Sequence, residues 1–297
     1  MVLIPFTAKC DQKCVFCSFE EKRPSDCGLK QWLKEAVISN ERIVQVSGGE
    51  PMLCAFEDIL KFVSFCASKN KTVEIQTNAL LLGKTDDSML HALIRRLNSS
   101  GGYFNVNFPA DNALLDKKIT GKKQGFAERK LAVLKLLRLG AVVRLTHVIF
   151  AHNYGRLPHF VRFVRRYLPG VSWIQFSFIK ATGKAEGNPR LVPEYAKTAP
   201  HLQKALKLAG DSGIKSEVDH IPLCFLGRFW KKHVDAEKIS RGIKGPYLRE
   251  KTKIRQCGGC KFYTICSGPR LDYLEIYGRS ARKIVRPVPR KPLNPRQ

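Results

Sequence analysis

Long apolar runs, a secretory signal, acidic side chains and paired histidines are what this chain is short of. No stretch of its 297 residues approaches the roughly 18 apolar side chains in a row that a membrane-crossing helix needs. The N-terminus, Met-Val-Leu-Ile-Pro-Phe-Thr-Ala-Lys-Cys, is too short and too quickly polar for a signal peptide. Together these absences exclude a spanning segment and leave a cytoplasmic, reducing compartment as the default. The seven histidines show no H-x-x-x-H or similar metal spacing. Internal repeats are absent, so one large domain, or one large and one small, fits the length.

The shortage of acid is extreme. Against 25 Asp and Glu stand 52 Lys and Arg, a net charge of +27 spread along the whole chain. One reading is an anionic substrate or partner: nucleic acid, a phosphorylated metabolite or an acidic peptide. The plain reading is solvated helix faces in a basic proteome, because charge reports on association and not on fold. The hydrophobic fraction of 44% is ordinary and predicts a sizeable core.

Cysteine, by contrast, is plentiful. Seven of the ten fall into two metal-like groups, which in a long chain without a signal favours metal ligation over disulfides. The first group is Cys10-Asp-Gln-Lys-Cys14-Val-Phe-Cys17, a C-x3-C-x2-C loop with no fourth cysteine in it. A closed electron-transfer cluster normally takes four cysteine ligands. Three leave one coordination position open, as a metal keeps when it must bind substrate or cofactor. Structural zinc is the competing reading; it wants four ligands, and only Cys27 lies near enough in sequence to complete the set.

Apolar patterning predicts alternating elements: strands over residues 2–8, 42–47, 72–77, 103–108, 141–150 and 171–179, with helices at 29–39, 55–69, 84–98, 124–139 and 155–168. Pro5 points to an edge position for the first strand. Six strands alternating with helices give a parallel α/β sheet, where chemistry gathers at the C-terminal ends of the strands. The cysteine loop follows strand one, Gly48-Gly49-Glu50-Pro51 follows strand two and Thr77-Asn78 follows strand three. After Gly183 a helix at 193–210 and a short strand at 214–219 lead to Pro222-Leu-Cys224. The end, 279–297, holds five arginines, two lysines and four prolines and reads as a mobile basic tail.

The cysteine spacing followed by Gly48-Gly49-Glu50-Pro51 resembles the radical S-adenosylmethionine (radical SAM) superfamily. Softer matches are Gln76-Thr77-Asn78, with Ala79 where relatives have glycine, and the run Thr120-Gly121, Phe126, Gly140, Asn153. The resemblance implies a partial (β/α)6 barrel over 1–190. It implies a 4Fe-4S cluster on Cys10, Cys14 and Cys17, whose free iron chelates S-adenosyl-L-methionine. In the family, an electron from the cluster splits that cofactor into methionine and a 5′-deoxyadenosyl radical. It assigns Phe16 to the adenine neighbourhood, and Gly48, Gly49, Glu50 and Pro51 to the methionyl ammonium. Asn107 stands where relatives contact the ribose, Asn78 lies in the third-strand motif, and Gln175 is placed towards the lumen; for Asn107 and Gln175 a satisfied structural polar group is the equal alternative.

Cys257-x2-Cys260-x5-Cys266, with Cys224 upstream, supplies the second group. With Tyr273-Leu274 and Tyr277-Gly278 it resembles the twitch or SPASM-type auxiliary 4Fe-4S domain, expected over 191–278. A four-cysteine zinc ribbon is the alternative. Of the remaining cysteines, Cys66 reads as a buried structural residue. Cys54 lies three residues past Pro51 and is the candidate hydrogen-atom donor to a substrate radical, as family epimerases require. The leading expectation is an enzyme that abstracts a hydrogen atom from a peptide or small metabolite, fed by an external electron donor such as flavodoxin or ferredoxin. The first strand starts almost at Met1, which weakens a leader-dependent peptide maturase. Modification of a nucleotide or nucleic acid is the alternative, and a non-catalytic zinc or iron–sulfur RNA-binding protein the remote one.

Overall fold

Strand and helix alternate along the computed structural model, which describes residues 1–19, 28–243, 245, 248–278 and 284–289. Cys27 lies outside the described residues. Seven strands form one sheet: β1 (Val2–Thr7), β2 (Ile43–Gly48), β3 (Thr72–Thr77), β4 (Tyr103–Asn107), β5 (Val143–Ile149), β6 (Trp173–Phe178) and β7 (Lys215–Asp219). They lie side by side in chain order and every neighbouring pair is parallel. The expected six strands are all present. The short strand at 214–219 adds a seventh, so the sheet runs on into the stretch read from sequence as the small domain. β1 and β7 are its edges, and the sheet is open, as in a partial barrel. Pro5 sits in edge strand β1, the kind of position to which proline is confined in sheets.

The crossovers carry helices α1 (Leu29–Ile38), α2 (Phe56–Ser68), α3 (Asp87–Ser99), α4 (Ala113–Thr120), α5 (Gly125–Arg138), α6 (Leu157–Tyr167) and α7 (Tyr195–Asp211). Past β7 come α8 (Val234–Ser240) and α9 (Leu271–Tyr277). No helix among the described residues is long and apolar enough to cross a membrane.

Register sorts the strand residues into two faces. Ile4, Val46, Ile75, Phe104 and Val143 lie in one row, and Val106, Leu145 and Ile174 in another. All are buried with the helices' apolar stripes in one core. Phe6 stacks on Trp32 of α1 with ring centroids 3.7 Å apart, and Phe62 of α2 meets it edge-on at 5.0 Å. Burying such a ring is worth about 1.5–3 kcal/mol.

The opposite face is polar, which a parallel sheet covered on both sides does not show. Its centre is Glu74, 1% exposed. The carboxylate accepts from Tyr103 Oη at 2.6 Å, Asn105 Nδ2 at 2.6 Å, Gln45 Nε2 at 3.0 Å and Gln76 Nε2 at 3.1 Å. Burial acts to raise its pKa, but Arg144 and these donors outweigh it and hold the carboxyl below its ordinary range. Further along the strands, Asn107, Thr146, Gln175 and Glu217 form the next row on this face.

Candidate functional site

The cysteine loop hangs between β1 and the end of α4. Lys13 N donates to Thr120 O and Val15 N to Ile119 O, each at 3.0 Å, so the last carbonyls of α4 grip the loop's backbone. Cys17 N closes back on Cys14 O at 3.2 Å, and Cys17 O accepts from Lys184 N at 2.9 Å. Cys10 is exposed, Cys14 buried and Cys17 half-buried. Burial pushes the Cys14 thiol up to about 12 and also raises Cys10, so a metal must displace protons to bind here. Phe16 is buried against Phe150, ring centroids 5.3 Å apart.

Gly48 and Gly49 are there for close approach. A Cβ on Gly49 would lie 2.0 Å from Lys9 O, and one on Gly48, at φ +116°, 2.3 Å from Thr7 O. Without side chains, Gly49 N reaches Thr7 O at 2.6 Å and Glu50 N reaches Lys9 O at 2.7 Å. The end of β2 is thereby laced to the run leading into Cys10.

Glu50 ties β2 to β3. Its carboxylate accepts from Thr77 Oγ1 at 2.6 Å, Asn78 N at 2.7 Å and Met52 N at 3.1 Å. Burial nonetheless pushes its pKa up to about 7. A buried carboxyl of that kind gains most from a neighbouring cation. Pro51 opens the following 3-10 turn and is buried; Cys54 closes it, half-buried, its N donating to Pro51 O at 3.0 Å.

Asn78 completes the ring of ties: its Nδ2 donates to Asp11 Oδ1 at 2.6 Å, joining the end of β3 to the cysteine loop. Ala79 takes φ 66°, a left-handed conformation that glycine adopts without strain. Three sequence-predicted segments therefore converge: the cysteine loop, Gly-Gly-Glu-Pro and Thr77-Asn78. Asn107 of β4 and Gln175 of β6 flank Thr146 of β5 in one register row of the polar face. Gln175 Oε1 accepts from Thr146 Oγ1 at 3.3 Å, whereas Asn107 Oδ1 is buried with no partner among the described residues.

Sequence reasoning missed Asp11, Asp116 and Arg129. Arg129 and Asp116 form an ion pair with both side chains fully buried. Arg129 Nε also donates to Asn78 O at 3.2 Å, so α5 braces the β3 end and α4 at once. A signal existed: Arg129 continues the apolar stripe of Ala132, Val133 and Leu136 at helical spacing, and a charge in a buried stripe needs a partner.

The second group also assembles. Cys224, Cys257, Cys260 and Cys266 line one small cavity of about 20 Å3, with Pro222, Phe262, Val285 and Pro287 as apolar wall. Burial pushes Cys224 up to about 12 and raises Cys257 and Cys266 as well. Gly268 N donates to Cys266 Sγ at 3.4 Å. Cys66 is fully buried in α2, within the fold's apolar core. A third constellation, Asp219, His233 and Asp235, brings ligand atoms within 4.8 Å of one another. Lys251 Nζ already bonds two of these: Asp219 Oδ1 at 3.3 Å, and Asp235 Oδ2.

Several solved structures share the fold. Native anSMEcpe with bound AdoMet aligns with a TM-score of 0.66 at 12% identity, over 96% of this chain and 92% of that one. SuiB of Streptococcus suis bound to S-adenosylmethionine gives 0.63 at 15%, over 96% and 76%. SuiB bound to its precursor peptide SuiA gives 0.59 at 18%, over 84% of this chain and 53% of that one. The chain thus spans about half the length of that SuiB chain. At these identities the likeness is one of fold. No curated protein sequence matches the chain. The profile of the radical SAM superfamily matches residues 4–164, more than half of the 297 residues, and the chain belongs to that superfamily.

Proposed function

We propose that the chain is a radical SAM enzyme that abstracts a hydrogen atom from a peptide or small-metabolite substrate and carries a second, auxiliary 4Fe-4S cluster. The observation that supports this most is the three-thiol loop laced by Gly49, Glu50 and Asn78 to the ends of β2 and β3. A soft set of three thiolates suits an iron–sulfur cluster with one iron left for a ligand. The raised Glu50 carboxyl suits the cofactor's ammonium, and the unpartnered Asn107 Oδ1 suits a ribose hydroxyl. When bound, cluster and S-adenosylmethionine supply a 5′-deoxyadenosyl radical by reductive cleavage.

The chain's own residues hold and orient. Cys10, Cys14 and Cys17 would ligate the cluster, while Gly48, Gly49, Glu50 and Pro51 shape the methionyl end of the pocket. Phe16 would border the adenine and Gln175 the substrate space on the polar face. Cys54, on the turn after Pro51, is the proposed hydrogen-atom donor. Cys224, Cys257, Cys260 and Cys266 would close all four positions of the auxiliary cluster, so it would not bind substrate directly. A peptide substrate is supported by the shared fold with SuiB, whose structure holds a precursor peptide. Seven of the ten cysteines fall into two ligand-like groups, the pattern of a reducing, cytoplasmic setting, and the electron donor in this reading is external, such as a flavodoxin or ferredoxin.

The test is anaerobic reconstitution with iron and sulfide, reduction, and assay for 5′-deoxyadenosine. Iron near about eight per chain with 5′-deoxyadenosine formed is the expected result. Colourless, zinc-loaded protein inert towards the cofactor would end this reading.

A further inference from the structure

We propose that residues 284–289, Ile-Val-Arg-Pro-Val-Pro, form a strap that is a working part of the four-cysteine site: it seals the cavity and holds two of the four sulfurs. The proposal rests on the reading of that site as a metal centre.

The strap's donors are spent on sulfur. Arg286 N donates to Cys224 Sγ at 3.3 Å and Val288 N to Cys260 Sγ at 3.4 Å. Pro287 and Pro289 have no N–H. The alternation Arg-Pro-Val-Pro therefore leaves two amide donors over these four residues, and both point at cysteines of the group. In the other direction, Lys261 N donates to Val288 O at 2.8 Å, and Cys260 and Pro289 form an antiparallel bridge. The strap is thus pinned by one antiparallel bridge to the Cys257–Cys260 turn.

Its side chains anchor it. Ile284 is 0% exposed and Val285 4%, although they sit in a stretch dominated by Arg and Pro. Val285 and Pro287 line the cavity itself. The Arg286 guanidinium lies 5.8 Å from the centre of the Phe225 ring, beside Cys224. A charged, proline-rich terminus gives up its conformational freedom only where docking compensates it, and here the docked surface is the cysteine cavity.

Two consequences follow for a metal bound by these thiolates. N–H···S bonds favour the more negative, reduced state of an iron–sulfur cluster, and dry walls keep chelators and oxygen away. The strap would therefore raise the reduction potential of the second centre and slow its loss of metal, leaving the first centre unaffected.

The test compares Val288→Pro and Arg286→Pro, which each delete one N–H, with Val288→Ala and Arg286→Ala, which keep it. Each centre's midpoint potential is titrated anaerobically, and metal release to a chelator is timed. The proline variants should show a lower potential at the second centre and release its metal several-fold faster, with the first centre as the internal control for folding. The alanine variants should track the unaltered chain on potential. In the unaltered chain, hydrogen exchange at the Arg286 and Val288 amides should be slow when loaded and fast after chelation. Proline and alanine variants with equal potentials and release rates, or amides whose exchange ignores the metal, would overturn the strap. Zinc in place of a second cluster would refute the auxiliary-cluster reading, while the release rates would still decide the strap. An unaltered chain that binds metal at the first centre alone would overturn both.

Discussion

At Glu50 and His147 one force, the loss of water, pushes in opposite electrical senses. It keeps a carboxyl partly protonated, up to about 7, and an imidazole neutral, down to about 4. His147 is 1% exposed, stacked on Phe160 with centroids 4.0 Å apart, and its Nδ1 donates to Phe108 O at 2.8 Å. Its folded pKa lies below the unfolded value near 6.5. Between pH 6.5 and 4 the unfolded chain takes up a proton that the folded chain refuses, so stability falls as pH falls. The loss over that window should be about 3 kcal/mol from this residue alone. His220 and His233, also lowered by burial, act with the same sign, whereas Glu50 acts against them. Anaerobic thermal unfolding of His147→Gln across this window should show a shallower decline than the unaltered chain; superimposable curves would refute the assignment. The convergence of Cys10, Cys14 and Cys17 with Gly48-Gly49-Glu50-Pro51 was legible because a three-thiol loop and a close-approach turn are each written in consecutive residues. The Glu74 network and the Arg129–Asp116 pair were not, because each joins side chains from elements far apart in the chain.

α4, which the strand-and-helix reading left out together with α8 and α9, holds the cysteine loop. It is short and its apolar pattern is weak, but its ends are written in the sequence. Asn112 is the cap, its Oδ1 accepting from Leu115 N at 3.0 Å, and Gly121 ends the helix at φ 76°. Because Ile119 and Thr120 give their carbonyls to Val15 and Lys13, fraying of α4 should be felt at the cysteines. Asn112→Ala should cost about 1 kcal/mol in stability. It should also speed iron loss from the first centre to a chelator and leave the second centre alone. Iron loss equal to that of the unaltered chain would mean that the loop holds itself. β7 was readable as a strand, yet its place beside β6 was not: periodicity names an element, and long-range pairing chooses its neighbour.

Across the whole molecule, the part after β7 is fastened to the sheet by charge. Glu250 bonds Lys180 Nζ at 3.0 Å and Arg270 Nη1 at 2.6 Å, while Asp272 Oδ2 accepts from Ala181 N at 2.7 Å. Lys251, its side chain 1% exposed, joins Asp219 at the end of β7 to Asp235 at the start of α8. Asp235 in turn accepts from Ser267 Oγ at 3.1 Å, next to Cys266. Lys251 does here what a metal ion does elsewhere, balancing a buried and a half-buried carboxylate near an imidazole. Removing it leaves those charges without their counter-ion, which in a buried site costs about 3–5 kcal/mol. Lys251→Met should therefore destabilise by that order in denaturant unfolding. Adding Asp235→Asn should recover part of the loss, because it is the uncompensated charge and not the missing contact that costs most. The location of the damage is the sharper check. Hydrogen exchange should accelerate first across residues 250–272, around the second cysteine group, while β2 to β5 keep their protection. Uniform acceleration through the sheet would mean that Lys251 supports the core as a whole and does not hold the cysteine-bearing segment against the barrel rim.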